Sequence, residues 1–222
     1  MYRRRKRKRR LLTKVLTFLI ILVGLMSIIS ILFPLEYMDY IVKYAEEYGV
    51  DPLLVSAIIN VESRYDKDAV SPKNARGLMQ IGPTTGKWAA EELNIENYNE
   101  NILFIPEINI RIGIWYLSKL ESEFGDNLDL ILAAYNAGSG NVQKWRLDSL
   151  YSKDGINLDR IPFKETAEYL VKVKGNLKIY NLIYNNRLTK SERFGSKYIE
   201  FMGILRNYLL ELSNIYDKGD LI

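Results

Sequence analysis

Glu62 stands where an apolar helical stripe ends. Leu54, Ala57, Ile58 and Val61 recur at i, i+3, i+4 and i+7, the spacing of one helix face, and the glutamate comes directly after them. A carboxyl group at the C-terminal end of such a helix meets the negative pole of the helix dipole among apolar neighbours, and both favour its protonated form. A general acid must start in that state. Glycosidic cleavage requires one, because the leaving oxygen takes a proton while oxocarbenium-like charge develops on the sugar. A lone glutamate at a helix end is usually just solvated, so the weight falls on its companions further along the chain. The chain has no histidine and no cysteine. That excludes Ser-His-Asp catalysis, thiol nucleophiles, disulfides and Cys or His zinc sites, and leaves carboxylate, hydroxyl, amide and amine chemistry.

Four short strings carry the candidate chemistry: Glu62-Ser63, then Gly77-Leu78-Met79-Gln80, then Ala134-Tyr135-Asn136-Ala137-Gly138, and last Glu165-Thr166 with Tyr169. In this order and spacing they resemble the catalytic domain of the soluble lytic transglycosylase family, which is related to goose-type lysozyme, over residues 38–184. The resemblance implies cleavage of peptidoglycan between N-acetylmuramic acid and N-acetylglucosamine, with Glu62 first as acid and then as base and with no metal or cofactor. It also implies that Ser71 and Gln80 contact the glycan near the acid, that the Tyr135 hydroxyl lies close to Glu62, and that Asn136 and Gly138 shape the cleft. Tyr169 is expected near the acid and Glu165 in a structural role. The sequence departs from the family where a methionine is usual and Gly82 stands here, which implies a wider or less apolar subsite. Trp88 and Trp145 are aromatic surfaces of the kind that stack on sugars, although core packing is the simpler expectation for both.

The elements that must position these residues read as helices. Residues 38–48 form one, stopped by Gly49, and Asp51-Pro52 supplies an N-cap and first-turn proline for the next. Residues 71–86 are polar and rich in turn formers, and a short helix is expected over 87–93. Residues 106–124 present Ile108, Ile112, Tyr116 and Leu120 on one face and end at Gly125. Residues 127–136 turn Leu128, Ile131, Leu132 and Tyr135 inward and stop at Gly138, and residues 164–184 repeat the pattern through Leu170, Val173, Leu177 and Tyr180. No strand alternation of useful length competes, so the expected fold is all-α or nearly so, and lysozyme-like by the resemblance. Residues 198–216 could add an amphipathic helix within a C-terminal extension, 185–222, that carries no motif.

The 222 residues include 31 bases and 27 acids, but nine of the bases fall in the first 14 residues and no acid precedes Glu36. The rest of the chain holds 22 bases against 27 acids and is mildly acidic. Basic charge confined to one terminal block without interleaved aromatics does not suit a nucleic-acid surface. Residues 15–33 carry no charge, and as a helix they span about 28 Å, close to the hydrocarbon thickness. A cleaved signal peptide would have a shorter apolar run ending in a small-x-small site, whereas this run ends in Ile31-Leu32-Phe33-Pro34. A retained anchor is therefore expected: a basic cytoplasmic segment over 1–14, a transmembrane helix over 15–33, and the remainder outside the cytoplasmic membrane by the positive-inside rule. Asp66 and Asp68 open a string like a calcium loop, but Val70 and Ser71 occupy positions that such a loop gives to a ligand and a glycine, so no metal site is expected. A water-using muramidase and a silent glycan-binding scaffold of an envelope machine remain as alternatives.

Overall fold

The structure, a computed structural model, describes residues 2–188 and 203–204. The helix anticipated over 198–216 lies outside the described residues, apart from positions 203 and 204. Two compact units are present, one of Tyr37–Asn186 and one of Met1–Glu36 with Arg187–Ile222.

In the second of these, α1 (Tyr2–Leu32) is a single helix that joins the basic block to the apolar run. Its stretch Arg10–Leu32 is long and apolar enough to cross a membrane, with a mean hydropathy of 2.9 and almost none of it buried inside the protein. The Thr17, Ser27 and Ser30 hydroxyls donate to the Thr13, Val23 and Ser27 carbonyls of the same helix, so these polar groups need no water.

The unit Tyr37–Asn186 is helical, and among the described residues its only β pairing is two isolated bridges, Val70 with Arg76 and Arg76 with Ile81. α2 (Met38–Tyr48) ends at Gly49, which takes a left-handed conformation. α3 (Pro52–Glu62) starts on the Asp51 carboxylate, which accepts from the Leu53 N–H at 2.8 Å, and on Pro52 in the first turn. Every residue from Leu53 to Ile59 in α3 is buried, so the expected stripe is in fact a stretch of helix enclosed on all sides. α5 (Pro106–Phe124) packs against α2 and α6 (Leu128–Ala137), and α7 (Ser139–Leu147) packs on α6. α8 (Lys164–Leu188) closes the unit through Leu170, Val173 and Tyr180.

Three details depart from the sequence expectation. α4 is Pro83–Glu92 and begins four residues before the helix expected over 87–93. Its first turn is Pro83-Thr84-Thr85-Gly86, residues that look like loop in isolation. Here Pro83 is a first-turn proline behind an extended Gly82, and Gly86 is buried against Tyr98. α7 and a 3₁₀ turn over Glu100–Phe104 were not anticipated, since α7 comes after Gly138 with no capping side chain to signal it. On α5 the buried surface covers Asn109, Ile110, Ile112, Gly113, Ile114, Trp115, Leu117, Leu120 and Phe124, while Ile108 and Tyr116 are half-buried.

Candidate active site

α3 ends at Glu62, and the chain turns away at once. Arg64 and Tyr65 both adopt left-handed backbone conformations, with φ of 54° and 66°, which non-glycine residues adopt only at a cost. The turn is held because Tyr65 is buried beside Ser56 and Tyr180, and because the Ser63 hydroxyl donates to the Leu78 carbonyl at 2.8 Å. The helix therefore does not continue to Asp66. That residue is exposed, and its carboxylate accepts from the Asp68 N–H at 2.9 Å.

Glu62 is half-buried. Desolvation pushes its carboxyl up from 4.5 to about 7, and the negative charge of Glu165 adds to the rise. The Tyr169 hydroxyl opposes part of it. That hydroxyl is buried and makes no hydrogen bond of regular geometry within the protein. Tyr135 is the second phenol at the site: its hydroxyl donates to the Met79 carbonyl at 2.8 Å, and Glu62 acts on it electrostatically. Desolvation first, and the Glu62 charge second, hold both phenols well above the usual tyrosine range, so both stay neutral. Three strings distant in sequence thus meet around one carboxyl group.

The loop before α4 is built from its own backbone. Ser71 and Ala75 close a turn, the Ser71 N–H donating to the Ala75 carbonyl and the Ala75 N–H donating to the Ser71 hydroxyl. The Gln80 side-chain amide donates to the Ala69 and Gly77 carbonyls at 3.1 and 3.0 Å, which leaves its carbonyl oxygen free for other work. Asn136 accepts from the buried Thr166 hydroxyl at 2.7 Å and so ties α6 to α8. Glu165 is exposed and pairs with Lys73 of the Ser71 turn at 3.4 Å. Trp145 is buried edge-on to Phe163, whereas Trp88 remains 40% exposed.

Sequence reasoning missed Asn109. This fully buried residue of α5 accepts from the Met79 N–H and donates to the Arg76 and Leu103 carbonyls, each at 2.8 Å. Gly77, at φ 74°, sits directly on it: a Cβ there would lie 2.2 Å from the Leu103 carbonyl oxygen and 2.4 Å from the Asn109 amide nitrogen. Gly113, one turn along α5, makes room for the Met79 sulfur in the same way. The signal was present as a polar residue three positions before Ile112, on a helix flank otherwise apolar.

The transglycosylase SLT domain family matches residues 39–156. The chain is 34% identical over 162 residues to the soluble lytic murein transglycosylase of Salmonella typhimurium, covering 72% of this chain and 24% of that protein. It is 30% identical over 178 residues to the membrane-bound lytic murein transglycosylase C of Edwardsiella ictaluri, covering 67% and 47%. Among solved structures, an inactive glutamate-to-glutamine mutant of the lytic transglycosylase Slt from Pseudomonas aeruginosa superposes with a TM-score of 0.61 at 33% identity, covering 71% of this chain and 26% of that one. The chain spans about a quarter of the length of the soluble relatives it matches. The fold is the helical, lysozyme-like one of these neighbours. With the match over residues 39–156 and the four strings gathered around one desolvated glutamate, the chain belongs to the transglycosylase SLT domain family.

Proposed function

We propose that this protein is a membrane-anchored lytic transglycosylase of peptidoglycan. The observation that carries the reading is the Glu62 carboxyl at the end of α3, desolvated so that its pKa rises to about 7 and set beside the neutral phenols of Tyr135 and Tyr169. Glu62 donates its proton to the glycosidic oxygen as the bond to the muramoyl anomeric carbon breaks. The resulting carboxylate then takes the proton of the muramoyl 6-hydroxyl, whose oxygen closes on the anomeric carbon. Glu62 ends protonated, ready for another cycle, and no water is consumed. Ser71, Gln80, Tyr135, Asn136 and Tyr169 line the path of the glycan. A hydrolytic glycosidase places a second carboxylate across the sugar, about 5 to 9.5 Å from the acid. Asp66 lies beyond the end of α3 with its carboxylate accepting from the Asp68 N–H, and Glu165 is exposed and pairs with Lys73 at the surface. The expected product carries a 1,6-anhydromuramoyl end, lighter by one water than a hydrolytic product. Mass spectrometry of digested sacculi checks this, and release of reducing muramic-acid ends alone would replace the reading with a muramidase.

The apolar stretch of α1 supports a single membrane crossing, with the basic residues before it on the cytoplasmic side. The protein is expected in the membrane fraction after a high-salt wash, and protease added to spheroplasts should digest its body. Full protection, or a mature N-terminus beyond Phe33, would defeat the anchor.

A further inference from the structure

Among the described residues of the unit Tyr37–Asn186, nine large apolar side chains stand exposed, and four of them fall in one loop, residues 147–163. Leu147 is 88% exposed, Leu150 65% and Ile156 60%, and the fourth is Phe163. A loose loop could fold such side chains back, but this one is fastened. The Asp159 and Arg160 N–H groups donate to the Tyr151 carbonyl at 2.9 and 3.2 Å, and the Arg146 guanidinium donates to the Gly155 carbonyl at 3.2 Å. Phe163 packs edge-on to the buried Trp145 and pins the far end. The loop therefore keeps its apolar side chains in water by construction, and a cluster of that kind marks a surface that meets something else.

The charges of the loop indicate what it meets. Asp148, Asp154 and Asp159 accept from the Leu150, Ile156 and Lys153 N–H groups of the loop itself, at 2.9, 2.8 and 2.8 Å. Lys144, Lys153 and Arg160 are exposed and form no ion pair among the described residues. Apolar side chains set among such bases match a bilayer interface, where the first enter the acyl boundary and the second meet headgroup phosphates. A lipid surface is also within reach, because only residues 33–37 separate α1 from α2, about 20 Å at full stretch. We propose that the loop 147–163 dips Leu147, Leu150 and Ile156 into the membrane that α1 crosses, a second attachment that limits the swing of the body about its tether. The proposal rests on the anchor reading and is independent of the cleavage chemistry.

The chain has no cysteine, so a single introduced one takes a thiol-reactive fluorophore alone. The full chain with Leu150→Cys or Ile156→Cys, labelled with nitrobenzoxadiazole, is reconstituted in vesicles of phosphatidylethanolamine and phosphatidylglycerol, with or without a nitroxide on the acyl chains. The nitroxide should quench both labels several-fold and leave unchanged a label on Ser122→Cys, an exposed polar position of α5. Adding Leu147→Asp and Ile156→Asp to the Leu150→Cys protein should abolish the quenching. Unquenched labels at 150 and 156, or equal quenching at 122, would overturn the proposal. So would an emission shift that grows with protein density and ignores the nitroxide, which marks contact between copies of the chain. Flotation of the same vesicles in high salt tests the anchor. A chain left behind defeats both readings, and a floating chain with an unquenched loop loses only the loop contact.

Discussion

Glu62→Gln is expected to lower turnover of peptidoglycan by about 10² to 10⁴, the usual contribution of a positioned general acid, while leaving the fold intact. Amide and carboxylic acid have nearly the same shape, but only the acid can deliver a proton. The same substitution should change stability in a direction that a surface glutamate would not show. In the folded protein the Glu62 pKa is about 7, against an ordinary value of 4.5. The folded state therefore holds this proton more tightly than the unfolded state. Its stabilising contribution is complete below pH about 4.5 and is lost as the pH rises through 7, where a desolvated carboxylate must ionise. The difference between the two values corresponds to roughly 3 kcal/mol. Glutamine never ionises, so the variant should match the wild type near pH 4.5 and exceed it by up to about 3 kcal/mol at pH 8. Urea denaturation of both proteins at the two pH values isolates this effect, because every other group titrates alike in each. Turnover by the wild type should show the same ionisation: kcat/KM declines above pH about 7 as Glu62 of the free protein loses its proton. A fully active Glu62→Gln protein would remove Glu62 from the reaction, and a stability difference that ignores pH would show that folding does not raise its pKa.

Asn109→Ala should unseat the loop before α4 at a large cost to the fold. It strips a partner from the Met79 N–H and from the Arg76 and Leu103 carbonyls, all inside the protein. The Arg76 carbonyl keeps the Ile81 N–H at 3.0 Å, but an orphaned buried polar group costs about 1 to 3 kcal/mol, so the Met79 N–H and the Leu103 carbonyl together are expected to cost on the order of 2 to 6 kcal/mol. That is a large share of the roughly 5 to 15 kcal/mol by which a domain is stable. The damage should reach the site, because Met79 presents the carbonyl that holds the Tyr135 hydroxyl. Gly77→Val attacks the same joint from the other side, adding a branched side chain at φ 74° where even a Cβ meets the Leu103 carbonyl at 2.2 Å. Denaturation midpoints and turnover measured on both variants should fall together. An Asn109→Ala protein within about 1 kcal/mol of wild type would show that the loop is seated by other contacts.

The helices, the long apolar stretch of α1 and the place of Glu62 at the end of α3 were legible in the sequence because each depends on near neighbours in the chain. Gly49 ends α2 and Asp51-Pro52 begins α3 through local backbone geometry, and the apolar run in α1 declares itself by length alone. The start of α4 was misread for the complementary reason: Pro83 and Gly86 are loop formers by propensity, and only the packing of Gly86 against Tyr98 makes that turn of helix worth forming. Glu62 could be singled out from its place behind an apolar stripe, and the pattern breaks after Arg64 in the sequence as well, whereas the left-handed turn through Arg64 and Tyr65 depends on Tyr65 finding Tyr180 far along the chain. The Gln80 amide looked free to hold a sugar, and tertiary structure commits its N–H groups to the loop backbone. Asn109 showed in the sequence only as a polar residue on an apolar flank, because a buried amide gains its meaning from the three backbone groups it bonds, and those come from the loop before α4 and the turn before α5. Residue types and spacing thus determined which chemistry the protein could attempt. Burial and long-range hydrogen bonding decided which groups are charged, which are already engaged, and which remain to meet a substrate, because both depend on atoms that the chain brings together only when it folds.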